Sequence, residues 1–282
     1  MSELAEFEKN IQDKRPNTIR SYILQYNKLH DAIDKDISKA SQKTILLGVK
    51  TVTNVNTQQS MLNVAIMIRR SLNLEINELI KSRDKNRHSI SDHVKEKNIT
   101  ITDGLPSYEN LLEYLEELYK ENMFVEYIIN YLLIHYQTRN QDLVFDIVRL
   151  KRDMKKDTTK NYIWISQSSK KAVYWRNDYK TAGIYGKKEI IITDPKFLTA
   201  IKRVEGCKAY KLDCGNIVPN TDQVGYWIKS KTLNKIGEGK IVKIVIDHFR
   251  GDMQKLKEIS NNRGTSLEIL IESYDIQNKK KI

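Results

Sequence analysis

The sequence predicts a mainly α protein carrying a small antiparallel β-sheet. Three observations predict it. Apolar residues recur at helical spacing, as in the face formed by Ile19, Tyr22, Ile23, Tyr26 and Leu29. Helix breakers are scarce, with 11 Gly and 4 Pro in 282 residues. Short β-branched and aromatic runs fall between Tyr162 and Ile192, where the character of the chain changes.

Residues 1–98 read as a helical module. Arg15-Pro16-Asn17-Thr18 is a helix start, because proline fits the first helical position. Ser41 to Thr51 reads as a second, short helix. Asn56-Thr57 caps a third, packed through Met61, Leu62, Ala65, Ile66, Ile68 and Leu72, with Arg69 and Arg70 at its end. Leu74 to Ile80 continues it or forms a fourth. Lys81 to Lys97 is rich in charge and poor in apolar residues, so it reads as an exposed linker or the end of a helix.

Residues 99–282 form the second expected domain. Ser107 caps a helix whose buried face is Leu111, Leu112, Leu115 and Leu118. A second helix, Met123 to Tyr136, leads into Arg139. Lys151 to Asp157 is a basic loop. Tyr162–Ile165, Ala172–Trp175 and Glu189–Ile192 read as three strands of the antiparallel sheet. Helices follow from Pro195, over Val224 to Asn234, over Lys240 to Gln254, and over Leu267 to Tyr274.

The formal net charge is +12, from 48 Lys and Arg against 36 Asp and Glu. That excess points to a polyanion, nucleic acid before an anionic membrane, although lysine-rich solvated faces account for part of it. The two cysteines, Cys207 and Cys214, offer neither a disulfide framework nor zinc spacing, which fits a reducing intracellular setting. The acidic start lacks a secretory apolar region, and no apolar run approaches about 18 residues. The expectation is an intracellular chain without a membrane partner.

Arg139 sits where one apolar element ends and another begins. A cation there needs an anion. Asp142 or Asp146 would serve as a structural partner, and a phosphate would be held through two parallel hydrogen bonds. Downstream come Lys180 in a turn between strands, His248 and Arg250 on a helix, and Tyr274 on the last helix. Two guanidiniums can hold the oxygens of a phosphodiester as it becomes pentavalent. A lysine can protonate a leaving alkoxide. A tyrosine oxygen can be the nucleophile. That scheme needs no metal or nucleotide cofactor.

On these residues the chain resembles the tyrosine recombinase (phage integrase) family. Arg15-Pro16-Asn17-Thr18-Ile19-Arg20-Ser21-Tyr22 looks like the first helix of that family's core-binding domain. Thr138-Arg139-Asn140-Gln141-Asp142-Leu143 looks like the box of its first catalytic arginine. Lys180-Thr181 is similar to its hairpin lysine, Arg250 falls near its second arginine, and Gly264-Thr265-Ser266 followed by Tyr274 resembles its closing segment. The resemblance implies a helical core-binding domain over 1–98 and an α/β catalytic domain over 99–282. It implies a site of Arg139, Lys180, His248, Arg250 and Tyr274, a 3′-phosphotyrosyl intermediate, double-stranded DNA as partner, and a homo-oligomer on DNA. Asp247 stands where the family has a histidine, with His248 one residue later, and Thr265 replaces a histidine or tryptophan. Those departures suit a second expectation: a recombinase-derived protein without catalysis, binding DNA or serving as a minor capsid protein of a large DNA virus, with other virion proteins as partners. The compartment would then be the host nucleus or cytoplasm, or the virion.

Overall fold

The computed structural model describes residues 2–100, 104–149, 159–166, 168, 170–206 and 223–274. The basic loop Lys151–Asp157, Cys207, Cys214 and the basic tail Lys279–Lys281 lie outside them. The chain divides into two compact units, Met1–Lys97 and Asn98–Ile282.

The first unit is helical. Helix α1 (Glu3–Ile11), which the sequence reading passed over, is capped by Ser2, whose Oγ accepts from the Ala5 amide at 3.3 Å. Helix α2 (Pro16–Ile33) starts at the expected proline, and α3 (Gln42–Lys50) is capped by Ser41. Helix α4 (Val55–Ser71) is capped by Asn54, not Asn56-Thr57: the Asn54 Oδ1 accepts from the Thr57 amide at 3.0 Å. Phe7, Ile11, Leu29, Ile45, Met61 and Leu62 meet in the core. A Cβ on Gly48 would lie 2.4 Å from Ile33 Cγ2, so this glycine lets α3 close on α2. Arg69 and Arg70 stand in the last turn of α4 as expected, and Arg69 is buried and donates to the carbonyls of Ala40 at 2.7 Å and Glu75 at 2.9 Å. The charged stretch Lys81–Lys97 lies within α5 (Asn77–Thr100), which contains no Gly or Pro to break it.

The second unit is built on α7 (Phe124–Tyr136). Every residue from Val125 to Ile134 is buried, so this helix is enclosed on all sides. Its neighbours are α6 (Tyr108–Lys120), α9 (Pro195–Gly206), α11 (Glu238–His248) and α12 (Met253–Arg263). Ser107 caps α6 as expected, in a reciprocal pair with Asn110. One turn meets two buried polar side chains of α7: Asn130 Nδ2 donates to the Lys231 carbonyl at 2.8 Å, and Lys231 Nζ meets Glu126 at 2.8 Å.

The sheet is mixed and four-stranded, in the order β1-β2-β3-β4. β1 (Phe145–Val148) pairs parallel with β2 (Asn161–Ile165), whereas β2, β3 (Ala172–Arg176) and β4 (Lys188–Ile192) pair antiparallel. The expectation of a wholly antiparallel sheet is corrected by β1. That strand has four residues and joins its partner without a hairpin, so no turn chemistry announces it. The core face carries Ile163 and Ile165, Ala172 and Tyr174, and Ile190 and Ile192. At one end it becomes polar, where Arg176 on β3 stands opposite Lys188 on β4. The hairpin between them contains α8 (Ala182–Tyr185).

Two helix boundaries differ from expectation. The segment Lys240–Gln254 is not one helix: α11 ends at His248, and Asp252 caps α12 by accepting from the Lys255 amide at 2.9 Å. Arg250 therefore lies in the turn beside Gly251. The segment Val224–Asn234 divides into α10 (Val224–Ser230) and a 3-10 turn, Leu233–Lys235, with Asn234 at a φ of 52°. The last helix, α13 (Leu267–Tyr274), has the expected bounds. No helix among the described residues is long and apolar enough to cross a membrane.

Candidate phosphate site

The site begins where α7 stops. Gln137 ends the helix in the left-handed region, with a φ of 45°. Arg139 is then extended and a 3-10 turn, Asn140–Leu143, turns the chain into β1. Asp142 holds this corner. Its Oδ2 accepts from the Arg139 amide at 3.0 Å and also pairs with Arg176 Nη2. The expected ion pair between Asp142 and the Arg139 side chain is therefore replaced. The acid orients Arg139 through its backbone, and its charge is met by Arg176, which reaches in from β3. Asp142 and Arg176 both have side chains fully excluded from solvent.

Arg139 keeps a half-buried guanidinium whose Nη1 has no hydrogen-bond partner among the described residues. Burial lowers its pKa, and the charge on Arg263 lowers it further, against Asp142, Tyr274 and Glu238. A bound anion would relieve both effects.

Arg263 is the opposite case. It ends α12 and is 3% exposed. Its Nη1 donates to the Gln137 carbonyl at 3.2 Å, and its Nη2 to Glu238 Oε1 at 2.5 Å. Nε and Nη2 both donate to Tyr274 Oη, at 3.2 and 2.8 Å. Burial works against its charge, but Glu238 and Tyr274 outweigh that and raise its pKa. Glu238, the first residue of α11, also accepts from the Asn140 amide through Oε2 at 2.9 Å. One carboxylate thus ties the Arg139 corner to the arginine that holds the tyrosine. With two donors on the phenol oxygen, the hydroxyl proton of Tyr274 points away from Arg263.

Lys188 completes the set. Its Nζ lies 5.5 Å from the centroid of Tyr179 and 5.8 Å from that of Tyr185. Burial, then Arg176 and Arg139, lower its pKa to about 8. The backbone turn at Gly264 brings the hairpin against this end of α12. Gly264 has a φ of 62°, and its carbonyl accepts from Thr181 Oγ1 at 2.7 Å. A Cβ there would lie 2.6 Å from Thr181 Oγ1 and 2.9 Å from Tyr179 Cε2. Both backbone shape and space require glycine.

Of the sequence-predicted residues, the structure brings together Arg139 and Tyr274. Lys180 is exposed in the hairpin, whereas Lys188 is half-buried and feels the charges of Arg176 and Arg139. His248 and Arg250 lie at the far end of α11 from Glu238, about 16 Å along this 11-residue helix. There His248 stacks on Tyr108 at 4.2 Å and meets Glu109 at 3.4 Å, tying α11 to the start of α6. Arg250 pairs with Asp247 at 3.8 Å. The Thr265 amide bonds to the Ser260 carbonyl at 3.1 Å, closing α12.

Arg176, Glu238 and Arg263 were missed as site residues. Two of them carried a signal. Arg176 shares strand parity with inward-facing Tyr174, and Arg263 stands in the last helical turn before a terminating glycine. Among the described residues no group of three or more His, Cys, Asp or Glu could hold a metal ion. The basic groups and the tyrosine are suited to binding a phosphate-sized anion and presenting an oxygen to it.

The depressed Lys188 gives a pH prediction. An anion favours the ammonium form, so binding takes up a proton wherever free Lys188 is neutral, above a pH of about 8. Affinity should therefore be full below that pH and fall as pH rises through it. Calorimetric titration with tripolyphosphate should show roughly a tenfold loss from pH 7 to 9, with proton uptake at the upper end. Lys188→Arg should flatten the curve. A pH-independent affinity in the unaltered protein would remove Lys188 from the site.

No protein-family model, curated protein or solved structure matches this chain.

Proposed function

We propose that the second unit is a tyrosine-type DNA strand-transfer site, with the helical first unit as a second contact on the duplex. Tyr274 Oη attacks a backbone phosphorus. A tyrosyl–phosphate bond forms, the bond to the 5′ oxygen breaks, and the phenol proton passes to solvent. Arg139 stabilises the charge that develops on the non-bridging oxygens. Lys188 gives its proton to the departing 5′ oxygen, a role its depressed pKa suits near neutral pH. Arg263 holds the nucleophile. Attack by another 5′ hydroxyl on the phosphotyrosyl ester reverses the step. The net charge of +12 favours a phosphate polymer. The observation that carries the reading is the fork of Arg263 on Tyr274 Oη, beside the unmet guanidinium of Arg139.

One observation favours the reading without catalysis. Arg263 already commits four of its five N–H donors to Glu238, Gln137 and Tyr274, so at most one is left for a phosphate. A protein that binds DNA or sits in a virion would keep such a closed arrangement.

The same assay decides between them. A pool of nicked duplexes of random sequence is incubated with the protein, and denaturant-resistant adducts are mapped by peptide mass spectrometry. The expected result is a phosphotyrosyl adduct on Tyr274 that disappears in Tyr274→Phe, with duplex binding unchanged within about twofold. Binding without an adduct supports the non-catalytic reading. No binding at low salt ends both.

A further inference from the structure

We infer that the tip of the β3–β4 hairpin is a wedge that parts a base step of duplex DNA, so the preferred substrate is a duplex with an easily opened step. The inference rests on the proposed DNA reading and extends it to a surface outside the phosphate site.

Ile184 is 81% exposed, an extreme exposure for a branched aliphatic side chain, and Tyr185 beside it is 43% exposed. The tip is narrow, because Gly183 and Gly186 flank these residues and a Cβ on either would meet nothing within 4 Å. It is also held firmly. Tyr179 Oη donates to the Gly186 carbonyl at 2.6 Å, and Thr181 Oγ1 to the Gly264 carbonyl at 2.7 Å. The amides of Ile184 and Tyr185 both bond to the Thr181 carbonyl at 3.0 Å. An apolar side chain on a braced, slim turn is shaped to enter a gap rather than to cover a surface.

The surrounding charge selects the occupant. From Tyr179 to Lys188 the chain has Lys180, Lys187 and Lys188 and no acid. Such a rim fits a polyanion with an apolar interior, and a base stack inside two phosphate strands has that form. An anionic bilayer offers the same two chemistries. The duplex is favoured because the Thr181–Gly264 bond fixes the tip to the turn that follows Arg263. A phosphate at half-buried Arg139 and a base step at Ile184 can belong to one polymer, whereas a flat bilayer is a poor match for a half-buried guanidinium. Pyrimidine–purine steps unstack most readily, so they should be preferred.

The test uses the full chain and two duplexes with 2-aminopurine at a TA step, one fully paired and one mismatched at that step. The expected result is a rise in fluorescence on binding and roughly tenfold tighter binding to the mismatched duplex. Ile184→Ala should lose the rise and the preference, and Ile184→Phe should keep both. The salt dependence of binding should be the same in all three proteins, because the phosphate contacts remain. The wedge is overturned if Ile184→Ala matches the unaltered protein in both readouts. It is equally overturned if the substitution instead abolishes self-association in sedimentation, or abolishes binding to phosphatidylserine vesicles with the duplex signals unchanged. Failure to bind either duplex at low salt overturns the DNA reading itself, a result distinct from binding without base opening.

Discussion

Arg176→Ala should destabilise the second unit by about 3–5 kcal/mol, the usual cost of removing one partner from a buried ion pair. The loss has a specific origin. Asp142 is fully excluded from solvent, and Arg176 is the cation paired with it. Without that partner the carboxylate must either stay charged and unmet or take up a proton on folding. Arg176 also donates to the Asn262 carbonyl, and its guanidinium lies 4.8 Å from the Tyr179 ring. Urea unfolding should show a lower midpoint and an unchanged slope. A double variant, Arg176→Met with Asp142→Leu, should recover a large part of the loss, because two apolar groups leave no buried charge. A single variant within about 0.5 kcal/mol of the unaltered protein would mean that the pair does not hold the corner.

Arg139→Ala should do the reverse: leave the fold and, on the strand-transfer reading, slow the reaction. The Arg139 side chain is repelled by the charge on Arg263, and its Nη1 has no partner among the described residues. Losing it should change stability by less than about 1 kcal/mol. If the strand-transfer reading holds, the rate of adduct formation should fall by about 10²–10³, the range for removing one preorganised donor to a developing charge. The pair of variants separates the two arginines beside Asp142. Collapse of the fold in Arg139→Ala would assign that residue a structural role and leave the site without its anion contact.

Much of the fold could be read from local chemistry, and the exceptions share a cause. Pro16, Ser41 and Ser107 announce their helices because a cap is satisfied within a few residues of itself. β1 escapes because its partner strand is reached without a hairpin. In the site, Arg139 and Tyr274 stand at the ends of elements that periodicity defines. That Lys188, and not Lys180, stands opposite Arg176 is a matter of register, set by where β4 begins. That Arg263, and not Arg250, lies against Tyr274 follows from the bounds of α12, where an Asp252 cap competes with continued apolar spacing and Gly264 closes the helix. Glu238 and Arg176 act only through partners distant in sequence, so no local pattern marks their role.

That distance also orders events during synthesis and folding. Arg139, Arg176, Glu238, Arg263 and Tyr274 are joined by contacts spanning up to 126 residues, as in the bond from Arg263 to the Gln137 carbonyl. Closing loops of that length costs chain entropy before the contacts are gained, which slows folding. The tyrosine emerges from the ribosome after every residue that positions it. A chain that stops short of Tyr274 therefore leaves two hydrogen bonds of the buried Arg263 unmade, those from Nε and Nη2 to the phenol oxygen.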